Sequence, residues 1–317
     1  MNKALVVGAG VVGLTSGIRL LEGGFTVRII AASLPPDTTS NVAPAYWYPY
    51  RVFPEDRVLA WATVSYKTYT DLRRVPESGI DAFELLKLFD KAAEEPFWKP
   101  AVKSYRHARP DELPEGYKDG FVVEVPRIET PVYMRYLVGR FKESGGRMEK
   151  LEAELESLDG LAAEDEILVN CTGLGSRKLC GDENVYPIRG QLVRVSNPGL
   201  TKCLSDESGP LGLSYIVPRY KDCILGGTAE ENNWSLDVDP ETAAKILRKC
   251  AILEPRIKDA EVLGHSVGLR PGRTEVRLEK GETSDGHPVI HNYGHGGGGF
   301  TLSWGCAGEV LEIARGI

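Results

Sequence analysis

The feature that most constrains this chain is a glycine pattern close to its beginning. Residues 3–7 form a largely apolar run, and Gly8-Ala-Gly10-Val-Val-Gly13 follows at once. Residues 14–22 then have the spacing of an amphipathic helix, Gly23-Gly24 closes it, and residues 26–31 form a second apolar run. This order predicts a strand, a glycine turn, a helix and a second strand.

Each glycine of such a turn has its own physical task. The first allows the tight turn, the second lets a pyrophosphate approach the backbone, and the third lets the helix pack closely on the strand. The start of the helix adds unpaired N–H groups and the positive end of its dipole. We therefore predict a dinucleotide site, whose residues are Gly8, Ala9, Gly10, Val11, Val12 and Gly13.

The pattern by itself does not decide between NAD and FAD. The acidic residue that usually binds the ribose hydroxyls stands at the end of the second strand. This chain has Ala31, Ala32 and Ser33 there. We therefore expect Ser33 or backbone groups to make the ribose contact, and the NAD hypothesis loses its best marker.

Composition excludes several classes of protein. The 317 residues are enough for two domains, and the net charge of −7 without a basic cluster disfavours nucleic acid as a partner. No apolar run approaches the ~20 residues of a membrane-spanning helix. The six cysteines show no metal-ligand spacing, so we expect no metal and reduced thiols, with one disulfide left open. Because no signal-peptide pattern precedes the first strand, we expect a cytoplasmic, prokaryotic protein.

A second glycine run, Gly294-His-Gly-Gly-Gly-Gly299, stands between an apolar strand at 288–293 and a helix at 300–314. Glycine is entropically costly, so this density indicates that a ligand needs close approach to the backbone. A helix N-terminus beside an electron-rich ring suits a flavin, because it stabilises negative charge on the reduced ring. A flexible loop is the alternative, which the tight framing by strand and helix disfavours.

Two other segments are ambiguous. Tyr46, Trp47, Tyr48 and Tyr50 form either a wall for ring stacking or ordinary core, and the sequence favours neither. A glycine-rich turn at 171–176 follows a short buried-type strand, and that turn could return to the cofactor.

With these segments in hand, the chain resembles the D-amino-acid oxidase family of flavoproteins from residue 6 to about residue 315. The motifs that carry the resemblance, in order, are Gly8-Ala-Gly-Val-Val-Gly13, Val169-Asn-Cys-Thr-Gly173, Arg189-Gly-Gln191, Tyr215-Ile-Val-Pro218, Leu225-Gly-Gly-Thr228, Gly268-Leu-Arg-Pro271 and His291-Asn-Tyr-Gly-His-Gly-Gly297. The resemblance implies non-covalent FAD and the oxidation of a D-amino acid by oxygen to a 2-oxo acid, ammonia and hydrogen peroxide.

The resemblance also implies an α/β fold with two interleaved domains. We expect a Rossmann-type FAD-binding domain over residues 1–80, 130–185 and 285–317. A β-sheet-rich substrate-binding domain is expected over residues 81–129 and 186–284. The expected partners are a D-amino acid and molecular oxygen, without nucleic acid or membrane, and a homodimer is left open.

Three residues match the substrate-binding positions of the family. Arg270 matches the arginine that binds the substrate carboxylate, a task that suits a guanidinium fork. Tyr215 matches the tyrosine whose hydroxyl holds the same carboxylate. Gly297 matches the position whose backbone carbonyl accepts a hydrogen bond from the substrate amine. Taken alone, an arginine before a proline is more often a surface charge.

Further residues match the family's FAD contacts, in the phosphate and ribityl loop, in the stretch lining the flavin and beside the ring. Together with Ser33 and Arg270 they are Thr38, Thr39, Ser40, Ala45, Tyr46, Tyr48, Ala153, Thr172, Gly296, Gly298, Gly299, Phe300 and Thr301.

This chain departs from the mammalian members at three positions. Leu211 replaces a second active-site tyrosine on the lid loop, Ala32 replaces an aspartate and Tyr48 replaces a glutamine. By their positions, Leu211 and Tyr48 are also expected to be substrate-binding residues. The lid, residues 205–214, contains Asp206 and Glu207 but no basic residue for a second substrate carboxylate. Arg219 is expected in a hairpin turn, pointing away. We therefore predict neutral, branched or aromatic D-amino acids as substrates.

The expected chemistry is hydride transfer from the substrate Cα to the flavin, with His291 and His295 as structural residues. Three alternatives stay open. They are another amine oxidase of the same fold, such as a D-aspartate or glycine oxidase, an NAD-dependent dehydrogenase, and a non-catalytic flavin-binding protein. Arg270 and the glycine run argue against the last, since a scaffold needs neither.

Overall fold

The computed structural model describes residues 2–317. The strands are β1 (Lys3–Val7), β2 (Thr26–Ala31), β3 (Ile80–Phe89), β4 (Tyr105–His107), β5 (Asp119–Ile128), β6 (Arg147–Lys150), β7 (Glu166–Asn170), β8 (Tyr186–Ser196), β9 (Cys203–Asp206), β10 (Ser214–Pro218), β11 (Asp222–Gly226), β12 (Glu230–Glu231), β13 (Val262–Gly272), β14 (Arg277–Glu282) and β15 (Pro288–Tyr293). The α-helices are α1 (Val11–Glu22), α2 (Thr39–Val42), α3 (Glu55–Leu72), α4 (Thr130–Glu143), α5 (Ser176–Leu179), α6 (Pro240–Leu253) and α7 (Gly299–Arg315).

The chain forms two compact units. The first contains the chain up to Ile80 together with residues 128–187 and 270–317, and the second contains residues 81–127 and 188–269. Residues 270–284, which the sequence prediction assigns to the second domain, cluster with the first unit. The reason is strand pairing, because β14 pairs antiparallel with β15 over its whole length.

In the described part of the first unit, the sheet has six strands in the order β14-β15-β7-β1-β2-β6. The strand β1 lies between β2 and β7 and is parallel to both. Its residues 4–7 are buried, as expected for a parallel strand covered on both faces. The helix α1 leaves the end of β1 and packs against α7 and α4. The predicted strand, glycine turn, helix and strand are confirmed.

The second unit is built on a mixed sheet, most of whose strand pairs are antiparallel. Its strand order is β12-β8-β11-β10-β9-β3-β5-β4, and β13 pairs with β8. The helix α6 packs on one face of this sheet. Its first turn is capped by Asp239, whose carboxylate accepts hydrogen bonds from the backbone N–H groups of Glu241 and Thr242. Ile246, Cys250 and other apolar side chains of α6 join a core cluster with β3, β8, β10 and β11. The predicted α/β fold is confirmed.

Candidate active site

The first glycine turn is fixed by contacts inside the first unit. Gly8 has a φ of +109°, and a methyl group there would lie 2.4 Å from the carbonyl oxygen of Cys171. A methyl group at Gly13 would lie 1.9 Å from the carbonyl oxygen of Gly8. Both positions therefore exclude a side chain, because the backbone after β7 and the turn itself already occupy that space.

Gly10, the middle glycine, has a different environment. A methyl group there would meet one described atom within 4 Å, the Ser40 hydroxyl oxygen at 3.2 Å. The backbone N–H of Val11 donates a hydrogen bond to that same oxygen at 2.9 Å. The first turn of α1 carries no acidic side chain that would neutralise the helix dipole. The turn therefore presents an open backbone surface with positive potential, which suits a pyrophosphate.

The second glycine run packs against residues 50–52. Methyl groups at Gly297 and Gly298 would lie 2.8 Å from the Tyr50 ring and from the Val52 side chain, respectively. The Cδ of Arg270 lies 3.7 Å from the place that a methyl group at Gly297 would occupy. The residue predicted to bind the substrate carboxylate and the residue predicted to bind the amine are therefore neighbours within the first unit.

The structure brings the separate glycine turns together. The Val11 side chain, in the first turn of α1, lies 3.8 Å from a methyl position at Gly299, where α7 begins. Gly173, in the third glycine turn, has a φ of +58° and faces the Pro271 ring at 3.6 Å. Turns that are more than 100 residues apart in the sequence therefore share one side of the first unit, which the sequence alone left open.

The aromatic segment contains one core residue and three partly buried tyrosines, and the stacking wall stays a prediction. Trp47 is fully buried, and its indole N–H donates a hydrogen bond to the carbonyl oxygen of Ala62. Tyr46, Tyr48 and Tyr50 alternate with the buried residues and are only partly buried. The segment therefore contributes a core tryptophan on one side and a row of tyrosines on the other.

Thr301 ties this segment to α7. The backbone N–H of Tyr48 donates to the Thr301 hydroxyl at 3.1 Å, and the hydroxyl donates to the carbonyl oxygen of Tyr48 at 3.0 Å. The Thr301 side chain is thus engaged with the backbone of the aromatic segment. Its predicted contact with FAD, which stays a prediction, would involve its backbone.

The two histidines of the last motif are buried. Desolvation lowers the pKa of His295 to about 4, and desolvation followed by the charge of Arg277 lowers the pKa of His291 to about 4. Both imidazoles are therefore neutral at neutral pH. The Nε2 of His295 has no hydrogen-bond partner among the described residues, although it is buried.

The residues of the first unit fit a flavin dinucleotide on these observations. The open backbone at Gly10 suits the phosphates. Gly297 is exposed, whereas Gly298 beside it is buried, so the Gly297 backbone is accessible to a ligand. His295 belongs to this run, and its unpaired Nε2 gives a polar ligand a buried partner.

The remaining residues predicted to contact FAD are distributed around the ends of the central strands. Ser33 follows β2 and is exposed, and Ala153 lies beyond the end of the neighbouring β6 and is also exposed. Thr38 and Thr39 stand at the start of a helical turn, α2, in the segment that the resemblance describes as a polar loop. Thr172 donates a hydrogen bond from its hydroxyl to the Asn170 side chain at 2.8 Å. The predicted FAD residues Ala45, Gly296 and Phe300 lie in the segments described above. All of these contacts with FAD stay predictions.

Tyr215 lies in the second unit, where its ring covers Gly226. A methyl group at Gly226 would lie 2.0 Å from the Tyr215 ring and 2.3 Å from its hydroxyl oxygen. Leu211, expected on the lid where mammalian members have a second active-site tyrosine, packs against the apolar cluster that α6 covers. The expected role of Leu211 in substrate binding stays a prediction. Arg219 lies in the hairpin turn, as predicted, and donates to the carboxylate of Asp222 at 2.6 and 2.7 Å.

One basic residue near the lid escaped the sequence analysis. Lys87 in β3 is buried, and its ammonium group contacts the Glu207 carboxylate and donates to the Ser205 hydroxyl at 3.1 Å. The search for a basic group covered residues 205–214 alone, and β3 is more than 100 residues away in the sequence. The signal that could have indicated it is a lysine directly between Leu86 and Leu88, both of which are apolar.

A largely parallel sheet with a glycine turn after its first strand, and a second glycine run at the start of a long helix, define a dinucleotide-binding protein. A family model described as FAD dependent oxidoreductase matches residues 3–313. This chain belongs to that family, and its cofactor is FAD. The resemblance drawn from the sequence motifs is confirmed.

The chain is similar to curated relatives over nearly its full length. The chain is 49% identical to a D-amino-acid oxidase of Rubrobacter xylanophilus, covering 98% of this chain and 95% of the relative. It is 40% identical to a D-amino-acid oxidase of Streptomyces coelicolor, covering 99% and 97%. It is also 36% identical to a human D-aspartate oxidase, covering 99% and 94%.

Solved structures share the fold. A glycine oxidase from Geobacillus kaustophilus superposes with a TM-score of 0.81, covering 99% of this chain and 95% of that chain at 19% identity. A glycine oxidase from Bacillus cereus gives a TM-score of 0.79, covering 100% and 95% at 18% identity. Among residues 2–317, no helix combines the length and the apolar character that crossing a membrane requires.

Proposed function

We propose that this protein is a D-amino-acid oxidase that acts on neutral D-amino acids. The observation that carries the proposal is the position of Arg270, which lies beside Gly297 at the glycine run of an FAD-dependent fold. An arginine side chain beside an exposed glycine brings together the two kinds of group that an amino acid needs, a guanidinium for the carboxylate and a backbone carbonyl for the amine. The curated relatives named D-amino-acid oxidase support the same activity.

The task of this chain's residues is positioning. Arg270 would pair with both carboxylate oxygens and fix the substrate's orientation, and the Gly297 carbonyl would accept a hydrogen bond from the amine. The Tyr215 hydroxyl would hold the carboxylate as a further donor. FAD, held by the glycine turns, supplies the two-electron acceptor for the hydrogen on the substrate Cα.

No protonated histidine takes part in this scheme. The pKa of His295, which belongs to the glycine run, is lowered to about 4 by desolvation, so the imidazole is neutral at the working pH of a cytoplasmic enzyme. An amine that binds in its neutral form requires no side-chain base. The proposal includes molecular oxygen as the electron acceptor and a cytoplasmic location, with a homodimer as an alternative to a monomer.

An anaerobic titration of the yellow holoenzyme tests cofactor, handedness and reaction together. We expect D-valine, D-alanine and D-phenylalanine to bleach the flavin absorbance, and the L-enantiomers to leave it unchanged. A protein that is bleached by L-amino acids, or by neither enantiomer, would contradict the proposal.

The variant Arg270→Ala tests the carboxylate contact. We expect KM for D-valine to rise roughly 100-fold, since a charged hydrogen-bonded partner is removed from the substrate. Steady-state peroxide production measures this change. The control is Arg248→Ala, which removes an exposed arginine of α6 and should leave KM unchanged. An unchanged KM in Arg270→Ala would refute the assignment.

A further inference from the structure

A buried lysine stands in the same cross-strand row as Tyr215. In the sheet of the second unit, Lys87 of β3 pairs with Ser205 of β9, and Ser205 pairs with Tyr215 of β10. Tyr215 in turn pairs with Gly226 of β11. Directly paired residues point to the same face of a sheet, so these side chains form one row.

This row lies on the face of the sheet that α6 does not cover. The neighbours of the row in sequence, Leu86, Leu88 and Ile216, belong to the core cluster formed with α6. Because side chains alternate along a strand, Lys87 and Tyr215 point to the opposite side. If Tyr215 binds the substrate as proposed above, the ammonium group of Lys87 shares the substrate's face of the sheet.

The position between Lys87 and Tyr215 is occupied by a small residue. The Tyr215 ring packs on Gly226. In the row, Gly226 and Ser205 lie on opposite sides of Tyr215. Ser205 therefore separates the tyrosine from the lysine with the smallest side chain of the three. Adjacent strands lie about 4.8 Å apart, so the row places a cation within about two strand spacings of Tyr215.

The carboxylate that reaches this cation comes from the loop after β9. Glu207 follows Ser205 by two residues and contacts the Lys87 ammonium group. The Lys87 side chain is 2% exposed, whereas the Glu207 side chain is 28% exposed. Desolvation lowers the pKa of Lys87, and the Glu207 charge opposes that effect. A buried ammonium group is stable only beside an anion or strong acceptors, so this carboxylate stabilises the charged lysine.

We propose that Glu207 occupies, with its own carboxylate, the place at which Lys87 would bind the side-chain carboxylate of an acidic D-amino acid. The inference rests on the proposed function and names its specificity determinant. A dicarboxylic substrate must displace Glu207 or lie beside it, and like charges at such short range repel. Neutral substrates leave the pair of Lys87 and Glu207 intact. Selection against D-aspartate and D-glutamate therefore comes from a glutamate, in a site that already contains the required cation.

The test is Glu207→Gln, which keeps the size of the side chain and removes its charge. We measure kcat/KM for D-aspartate against D-asparagine and for D-glutamate against D-glutamine, because each pair differs only in charge. We expect the acid-to-amide ratio to rise about 10- to 100-fold, the range of one hydrogen bond to a charged group. Glu115→Gln, an exposed glutamate of the same unit, makes the same change in net charge and should leave the ratio unaltered.

The variant Glu207→Gln with Lys87→Met identifies the cation. The gain should disappear in it, while D-valine is still oxidised. If that variant does not fold, the comparison of Glu207→Gln with Glu115→Gln by itself decides whether the charge of Glu207 excludes acidic substrates. An acid-to-amide ratio in Glu207→Gln equal to that of the wild type, with D-valine oxidation preserved, would overturn the inference.

Calorimetric titration separates this inference from the proposed function. Succinate carries two carboxylates and butyrate one, on chains of equal length. Glu207→Gln should bind succinate more tightly than the wild type does, with butyrate unchanged. Should the wild type oxidise no D-amino acid, the proposed function fails, and a gain in succinate binding would still support the role of Glu207. Equal succinate affinity in both proteins would count against that role.

Discussion

The glycine turn of the first unit and the Tyr215 row of the second unit are built in opposite ways. Gly8, Gly10 and Gly13 lie within six residues of each other and act through the absence of side chains. Lys87, Ser205, Tyr215 and Gly226 come from four strands and act through their side chains or, for Gly226, by leaving room for one.

The difference explains which part of the site the sequence discloses. A backbone site of consecutive residues has a fixed spacing, because one turn and one helix start determine it. A side-chain site on a sheet depends on strand order and register, and a shift of one residue would turn each side chain to the other face. The predictions below test this contrast, from the largest expected effect to the smallest.

The largest effect is expected from Gly13→Ala. Its methyl group would lie 1.9 Å from the carbonyl oxygen of Gly8, so the turn and α1 must separate. We expect the free energy of unfolding to fall by at least about 1–3 kcal/mol and flavin binding to be lost. Urea unfolding and the flavin content of the purified protein measure both. A stable, yellow Gly13→Ala protein would show that the close packing is not required.

Gly10→Ala should separate ligand binding from folding. The added methyl group meets Ser40 Oγ at 3.2 Å and no other described atom within 4 Å, and the φ of −70° suits alanine. We expect the flavin-free protein to keep its stability within about 1 kcal/mol, while flavin affinity falls at least about tenfold. Fluorescence titration with FAD measures the affinity. The control is Gly139→Ala in α4, where a methyl group meets nothing within 4 Å and helix propensity improves. Equal FAD affinities in these two variants would contradict an approach of the phosphates to Gly10.

Acid should weaken the first unit before the second. The folded pKa of about 4 for His291 and His295 lies below the usual 6.5, so the unfolded chain binds protons first as the pH falls. Stability is then lost as the pH falls from about 6.5 to 4. In the second unit, a hydrogen bond from Arg106 is the main cause that lowers the pKa of Glu112 to about 2, so its contribution is lost only between about pH 4.5 and 2. Urea midpoints from pH 7 to 4 should fall, and less steeply in His295→Gln. A midpoint that is constant over this range would exclude buried neutral histidines.

The smallest effect is expected from Gly226→Ala. Its backbone conformation accepts alanine, but the methyl group would lie 2.0 Å from the Tyr215 ring, so the ring must rotate away. We expect KM for D-valine to rise about tenfold, because the hydrogen bond from the Tyr215 hydroxyl to the substrate would be lost. Tyr215→Phe keeps the ring and removes the hydroxyl, so it should give a similar rise. A rise in Tyr215→Phe without one in Gly226→Ala would show that the ring's position over Gly226 does not matter.

Particular residues show how far sequence reasoning reached. The ends of β1 and β2 were predictable because apolar runs bounded by glycine leave few alternatives. The segment around Trp47 was not, because alternation along an irregular stretch places neighbouring aromatic residues in different environments. The placement of β14 was missed because its partner, β15, follows in sequence and nothing local indicates which sheet the pair joins.

The sequence by itself determined the nucleotide turn, the second glycine run and the family, since each is a local pattern whose spacing is set by backbone geometry. The tertiary structure alone decided that Arg270 lies beside Gly297 and that a lysine from β3 meets a glutamate from the loop after β9. The physical reason is that strand pairing and close packing bring together residues that are remote in the chain, and neither contact leaves a periodic trace in the sequence.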